Sequence, residues 1–175
     1  MPIKNAYPEL PVVPFKLTSI TMAEANGYIA TIPYIAEVKR AVQIIFRNES
    51  ANGKNGLCNN FIGQQADGAR LPNQWVPFIE GTFIKKENMT GKDRRFVAFK
   101  DWRTSIVLLA DRAFKRGIYI GENVDSTYYK GTVRTVDQLA KCYWDEWIMG
   151  DSSNPPKQFV KDFTSMYNQA AKLFL

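Results

Sequence analysis

The stretch that decides the reading is Ile44-Ile45-Phe46-Arg47-Asn48-Glu49-Ser50-Ala51-Asn52-Gly53-Lys54-Asn55-Gly56-Leu57-Cys58-Asn59-Asn60-Phe61-Ile62-Gly63-Gln64-Gln65-Ala66-Asp67. An apolar run leads into one carboxylate, and the texture then turns to glycine and asparagine. Upstream, Pro33 can open a helix through Ile35, Val38, Ala41, Val42, Ile45 and Phe46 that ends near Glu49. This order predicts Glu49 on the floor of a cleft, with apolar neighbours on its helical side. Desolvation raises a carboxyl pKa, and a carboxyl still protonated near neutrality can donate its proton to a leaving oxygen. The plainer alternative is a solvated carboxylate at a helix C-terminus, where the macrodipole mildly disfavours it.

Working outward, Thr21 reads as an N-cap with Glu24 at capping-box distance, opening a helix through Ala23 to Ile32. Before it, Pro2, Pro8, Pro11 and Pro14 interrupt both helix and central strand. They predict an extended, non-catalytic arm over residues 1–17, lying on the domain or on a neighbour, ahead of one domain over residues 18–175. After Asp67, the alternation Trp75-Val76-Pro77-Phe78-Ile79 and the run Arg95-Phe96-Val97-Ala98-Phe99 read as the two arms of a hairpin, with a charged turn through Thr90-Gly91-Lys92-Asp93. Apolar residues at helical spacing then predict helices over Trp102 to Lys115, Val133 to Trp147 and Pro156 to Phe174.

Composition narrows the chemistry. A chain of 175 residues, 45% hydrophobic, can bury a core without staples. It has no histidine, which removes Ser-His-Asp and Cys-His catalysis and the commonest metal ligand and leaves carboxylates. No metal or other cofactor is expected, since the acidic residues also lack calcium-loop spacing. The net charge of +6 selects anionic partners in general. Lysines and arginines are spread along the chain and no recognition motif appears, so nucleic acid is not an expected partner. Trp75, Trp102, Trp144 and Trp147 suit either a core or a groove that stacks on sugar rings. Cys58 and Cys142 read as two free buried thiols, with one long-range disulfide as the alternative. The start, Met1-Pro2-Ile3-Lys4-Asn5-Ala6-Tyr7, has no apolar h-region, and no run approaches the roughly 20 apolar residues of a membrane span. The expectation is a chain without signal peptide or membrane insertion, found in a host cytoplasm or a virion.

The run from Glu49 to Gln65 resembles the lysozyme superfamily, in which a helix, a catalytic Glu-Ser and a glycine-rich turn precede an Asn-Phe-x-Gly pattern. It is most similar to phage peptidoglycan hydrolases and flagellum-type glucosaminidases. The stretch Arg95-Phe96-Val97-Ala98-Phe99-Lys100-Asp101-Trp102-Arg103-Thr104-Ser105-Ile106 is similar to the family's strand-to-helix segment. Val136 to Tyr143, followed by Phe159, Phe163 and Tyr167, resembles its late tyrosine and closing helix. The family's usual Glu-Ser-Gly is Glu49-Ser50-Ala51 here, and its Phe-Arg before the strand is Phe96-Val97.

The resemblance implies a mainly helical α+β, lysozyme-like fold in which helical lobes and a small β-hairpin lobe flank a substrate cleft. It also implies cleavage of bacterial peptidoglycan glycan strands, by hydrolysis or by lytic transglycosylation, with Glu49 as general acid. A two-carboxyl glycosidase needs a second group across the bond, whereas a transglycosylase works with one. Glu80 and Glu87 are the candidates for it in the hairpin region, and Asp67 could instead bind substrate or hold the loop. Asn60, Gln64 and Tyr143 are candidate substrate-binding residues, because amides and a phenol suit N-acetyl groups and hydroxyls. Loop-capping for Asn60 and core packing for Tyr143 are the alternatives. The expected setting is phage lysis or wall penetration. The competing expectation is a non-catalytic wall-binding component of a virion, docked to other virion proteins through the N-terminal arm.

Overall fold

A computed structural model describes residues 3–87 and 90–175. In chain order the elements are β1 (Leu17–Thr18), α1 (Met22–Thr31), α2 (Ala36–Glu49), β2 (Gly56–Leu57), a 3-10 helix (Asn73–Phe78), β3 (Ile79–Lys86), β4 (Asp93–Phe99), α3 (Arg103–Arg116), β5 (Asn123–Asp125), β6 (Lys130–Thr132), α4 (Val136–Tyr143), a π-helical turn (Trp144–Met149) and α5 (Lys157–Leu173). The fold is mixed α/β, with three antiparallel two-stranded sheets, β1–β2, β3–β4 and β5–β6, among the described residues. Among those residues no helix is long and apolar enough to cross a membrane.

The chain forms two compact units, Met1–Met22 with Phe46–Ile106, and Ala23–Ile45 with Val107–Leu175, so the boundaries fall inside α1, α2 and α3. In the first unit the β3–β4 hairpin packs Phe83, Phe96 and Ala98 with Cys58, and Val13 of the expected arm lies against them. The arm belongs to this unit. Val13 donates to the Thr82 carbonyl at 2.9 Å, and the Thr82 N–H returns to Pro11 at 2.9 Å. Gly81 permits this approach, because a Cβ there would sit 2.5 Å from the Pro11 oxygen. On the other long edge, Ala66 donates to the Arg95 carbonyl at 2.8 Å and Val97 donates to the Gln64 carbonyl at 3.0 Å. Tyr7 is fully buried and its hydroxyl accepts the Leu71 N–H at 2.8 Å. Met1 and Pro2 of the expected arm lie outside the described residues.

The second unit is built around helical apolar faces. Leu109, Ala110 and Ala113 of α3 are fully buried, as are Val38, Val42 and Ile44 of α2 and Ala170 of α5. Helix α4 opens on a capping box in which the Gln138 N–H donates to the Thr135 hydroxyl and the Thr135 N–H donates to the Gln138 side chain. The π-helical turn ends on Gly150 at φ 64°, a left-handed position suited to glycine.

Three expectations change in detail. The stretch from Trp75 to Phe78 is a 3-10 turn, and the first hairpin strand begins only at Ile79. Pro77 lies inside that turn, and its missing N–H cannot join a ladder. The second helix starts at Ala36, beyond Pro33. The helix expected to run to Trp147 changes to π geometry at Trp144.

Candidate functional site

Glu49 is the last residue of α2 and is exposed. This exposure departs from the buried setting expected for its carboxylate. The rigid part is the turn that follows. Ser50 is fully buried; its hydroxyl donates to the Phe46 carbonyl at 2.5 Å and accepts the Gly53 N–H at 2.8 Å. Asn52 donates its N–H to the Arg47 carbonyl at 2.9 Å, and its side chain accepts from the Arg47 guanidinium at 3.2 Å. Ala51 and Asn52 take left-handed backbone at φ 49° and 59°. A glycine suits such a position, whereas a Cβ strains it. Gly53 then accepts the Ile20 N–H at 2.8 Å.

The asparagine-rich loop is fastened to its own unit. Asn60 is fully buried: its Nδ2 donates to the Gln64 and Val97 carbonyls, both at 2.9 Å, and its Oδ1 accepts the Gln64 N–H at 2.9 Å. The substrate-binding role expected for Asn60 is thus replaced by loop capping. The Gln64 amide, half-buried, donates to the Gln65 carbonyl at 2.8 Å. The buried Ser105 hydroxyl locks the loop from α3, donating to the Asn59 carbonyl at 2.8 Å and accepting the Phe61 N–H at 3.0 Å.

The three candidate partners of Glu49 separate sharply. Asp67 receives Arg94 through Nε at 2.6 Å and Nη2 at 3.0 Å, and Arg94 holds its carboxyl below the usual range. Glu87 accepts the Thr90 hydroxyl at 2.7 Å and lies 3.7 Å from the same guanidinium. Asp67, Arg94 and Glu87 therefore form one ion cluster at the hairpin's far end. Glu80 is different. The strand register shifts between Ile79 and Gly81, so Glu80 is the extra residue of a β-bulge. It is exposed and lines a cavity of about 310 Å³ with Val13, Pro14, Phe15, Lys16, Thr18, Cys58 and Asn59. Among the described residues its side chain makes no hydrogen bond or ion pair.

Tyr143 belongs to the second unit and is buried at 1% exposure, its ring 5.8 Å from Phe163 and 6.3 Å from Phe159. It is core, so its expected substrate-binding role is not met. Both cysteines are free and buried, as expected; burial raises the Cys58 thiol and pushes Cys142 up to about 12. The larger cavity, about 420 Å³, also lies in the second unit, beside Phe114, Arg116 and Tyr119, and none of the predicted site residues lines it. Among the described residues no three His, Cys, Asp or Glu side chains gather as metal ligands.

Sequence reasoning missed Phe15, Lys16 and Asn59 as neighbours of Glu80. The pairing that brings them there, β1 with β2, is two residues long on each side and leaves no periodic signal. No family model, curated protein or solved structure matches the chain.

Proposed function

We propose that this chain cleaves the glycan strands of bacterial peptidoglycan in a lysozyme-like domain, with Glu49 as general acid and Glu80 as the second carboxylate. The observation that carries the reading is the contrast among the acidic residues of the first unit. Glu80 sits unpartnered on a bulge in a cavity, while Asp67 and Glu87 share Arg94. A carboxylate used as nucleophile or as base for water must be left available to the substrate, and Glu80 meets that requirement. Glu49 is held by a turn with a buried hydroxyl at its centre, so its backbone position is fixed before any ligand arrives. Its exposure assigns desolvation to the glycan itself, which would exclude water from the carboxyl on binding. The resemblance of the Glu49 to Gln65 segment to phage wall hydrolases supports a role in lysis or wall penetration.

The test is turbidity clearing and product mass on purified Gram-negative peptidoglycan, comparing wild type with Glu49→Gln. Loss of one general acid is expected to lower the rate by roughly 10²- to 10⁴-fold. Reducing ends are the expected products, because two carboxylates can direct a water; anhydro-sugar ends would instead assign transglycosylation by Glu49 alone. Equal clearing by both proteins would reject Glu49 as the acid. Inactive wild type that still binds walls from several sources would make the chain a binding component.

A further inference from the structure

We propose that the N-terminal arm is part of the ligand site, with Phe15 and Lys16 forming a subsite for an amino sugar that carries a carboxylate. This rests on the glycan reading above and adds the part of the sugar that the arm would recognise. The arm is fastened to the cavity by its backbone. The Lys16 N–H donates to the Cys58 Sγ at 3.1 Å, the Lys16 carbonyl accepts the Cys58 N–H at 2.8 Å, and the Thr18 hydroxyl accepts the Asn59 N–H at 3.0 Å. These bonds leave both side chains outside the scaffold. Lys16 is exposed, lines the cavity and has no ion-pair partner among the described residues. Phe15 is 43% exposed, packed 5.7 Å from Phe83, with the Lys85 ammonium 5.8 Å from its ring centroid.

The cavity lining therefore carries both charges, with Lys16 on the arm and Glu80 on the hairpin bulge. Asn59 lies between them in chemistry: its Nδ2 is spent on the Phe99 and Lys100 carbonyls, while its Oδ1 accepts no hydrogen bond among the described residues. An aromatic face, an amide oxygen and a cation suit a sugar ring, its amide N–H and a carboxylate, respectively. Glu80 repels a carboxylate on its own side, so the ligand's acid group is oriented toward Lys16. Of the two carboxylate sources in peptidoglycan, the peptide stem and the lactyl group of muramic residues that carry no stem, the lactyl group lies closer to the ring that Phe15 would face, and Lys16 is assigned to it.

The experiment is an NMR titration of the full chain with N-acetylmuramic acid, with muramyl dipeptide, whose lactyl group is amidated, and with neutral N-acetylglucosamine. Monosaccharides have no glycosidic bond to cut, so binding is read apart from turnover. Wild type should bind N-acetylmuramic acid about 5-fold tighter than N-acetylglucosamine at low salt, the scale of an exposed charge pair. Lys16→Gln, which keeps both backbone bonds, should remove that preference, and Lys16→Arg should retain it. Equal affinity of wild type for the two monosaccharides, or shift changes mapping away from Phe15, Lys16 and Asn59, would overturn the subsite. So would a preference that survives Lys16→Gln, or one shown for muramyl dipeptide alone. Wall clearing with no preference would break this inference and leave the proposed function standing; the preference without clearing would do the reverse.

Discussion

The two ends of the β3–β4 hairpin carry glutamates seven positions apart and employ them in opposite ways. At the far end Glu87 is drawn into the Arg94 cluster with Asp67, and Gln65 accepts a further bond from Arg94 at 2.6 Å. At the near end a register shift leaves Glu80 facing a cavity without a partner among the described residues. Carboxylates of one type in one hairpin are thus sorted into a fastening and a candidate reagent by local backbone geometry. A bulge re-aims a side chain, whereas a regular ladder lets charges across strands neutralise each other.

The comparison is broken most directly by mutating each end. Glu80→Gln should lower wall clearing by roughly 10²-fold or more, while Glu87→Gln should stay within about 3-fold of wild type. Similar losses from both, measured on the same wall preparation, would end the distinction. The near end also depends on the arm. Gly81→Ala should lower stability by about 1–3 kcal/mol in denaturant unfolding, because the new Cβ meets backbone at Pro11 and the Val13 side chain.

The far end is tested by pH. Arg94 depresses the Asp67 pKa, so the pair contributes stability fully above the ordinary carboxyl value of about 4 and loses it as pH falls through the lower folded value. Asp67→Asn should cost roughly 1–2 kcal/mol at pH 7, and thermal unfolding should show this deficit closing as pH falls below about 4. A constant deficit across that window would show that ionisation is not what the cluster uses. The smallest effect belongs to Ala51→Gly, a change that relieves left-handed strain and should raise stability by up to about 1 kcal/mol.

Helices were legible where apolar residues repeat at helical spacing. Val38, Ala41, Val42, Ile45 and Phe46 are all buried, and α2 stops at Glu49 as the change of texture predicts. The second hairpin strand was legible for a different reason, a short unbroken apolar run after a charged turn, and Phe96, Val97, Ala98 and Phe99 are all buried. The first strand was misplaced because the alternation around Trp75 mimics a strand and only Pro77 argues against one. Strands β5 and β6 were invisible: each is three residues long, and only Val124 is buried. At the candidate site, position along the chain was readable for Glu49, but partner choice was not. That Asp67 and Glu87 converge on Arg94, that Asn60 spends its amide on carbonyls, and that Tyr143 faces a core are all products of tertiary pairing.

Strand edges are where folded proteins stick to one another, and this hairpin has a cover on each side. Gln64 to Ala66 run along β4, while Pro11 to Val13 hold Thr82 of β3 through both its backbone groups. A preparation that lost the arm to a protease would therefore offer the polar row of β3 to a second molecule, beside the exposed Ile84. Its first symptom would be turbidity of the protein stock itself, appearing in storage before any assay on cell walls began.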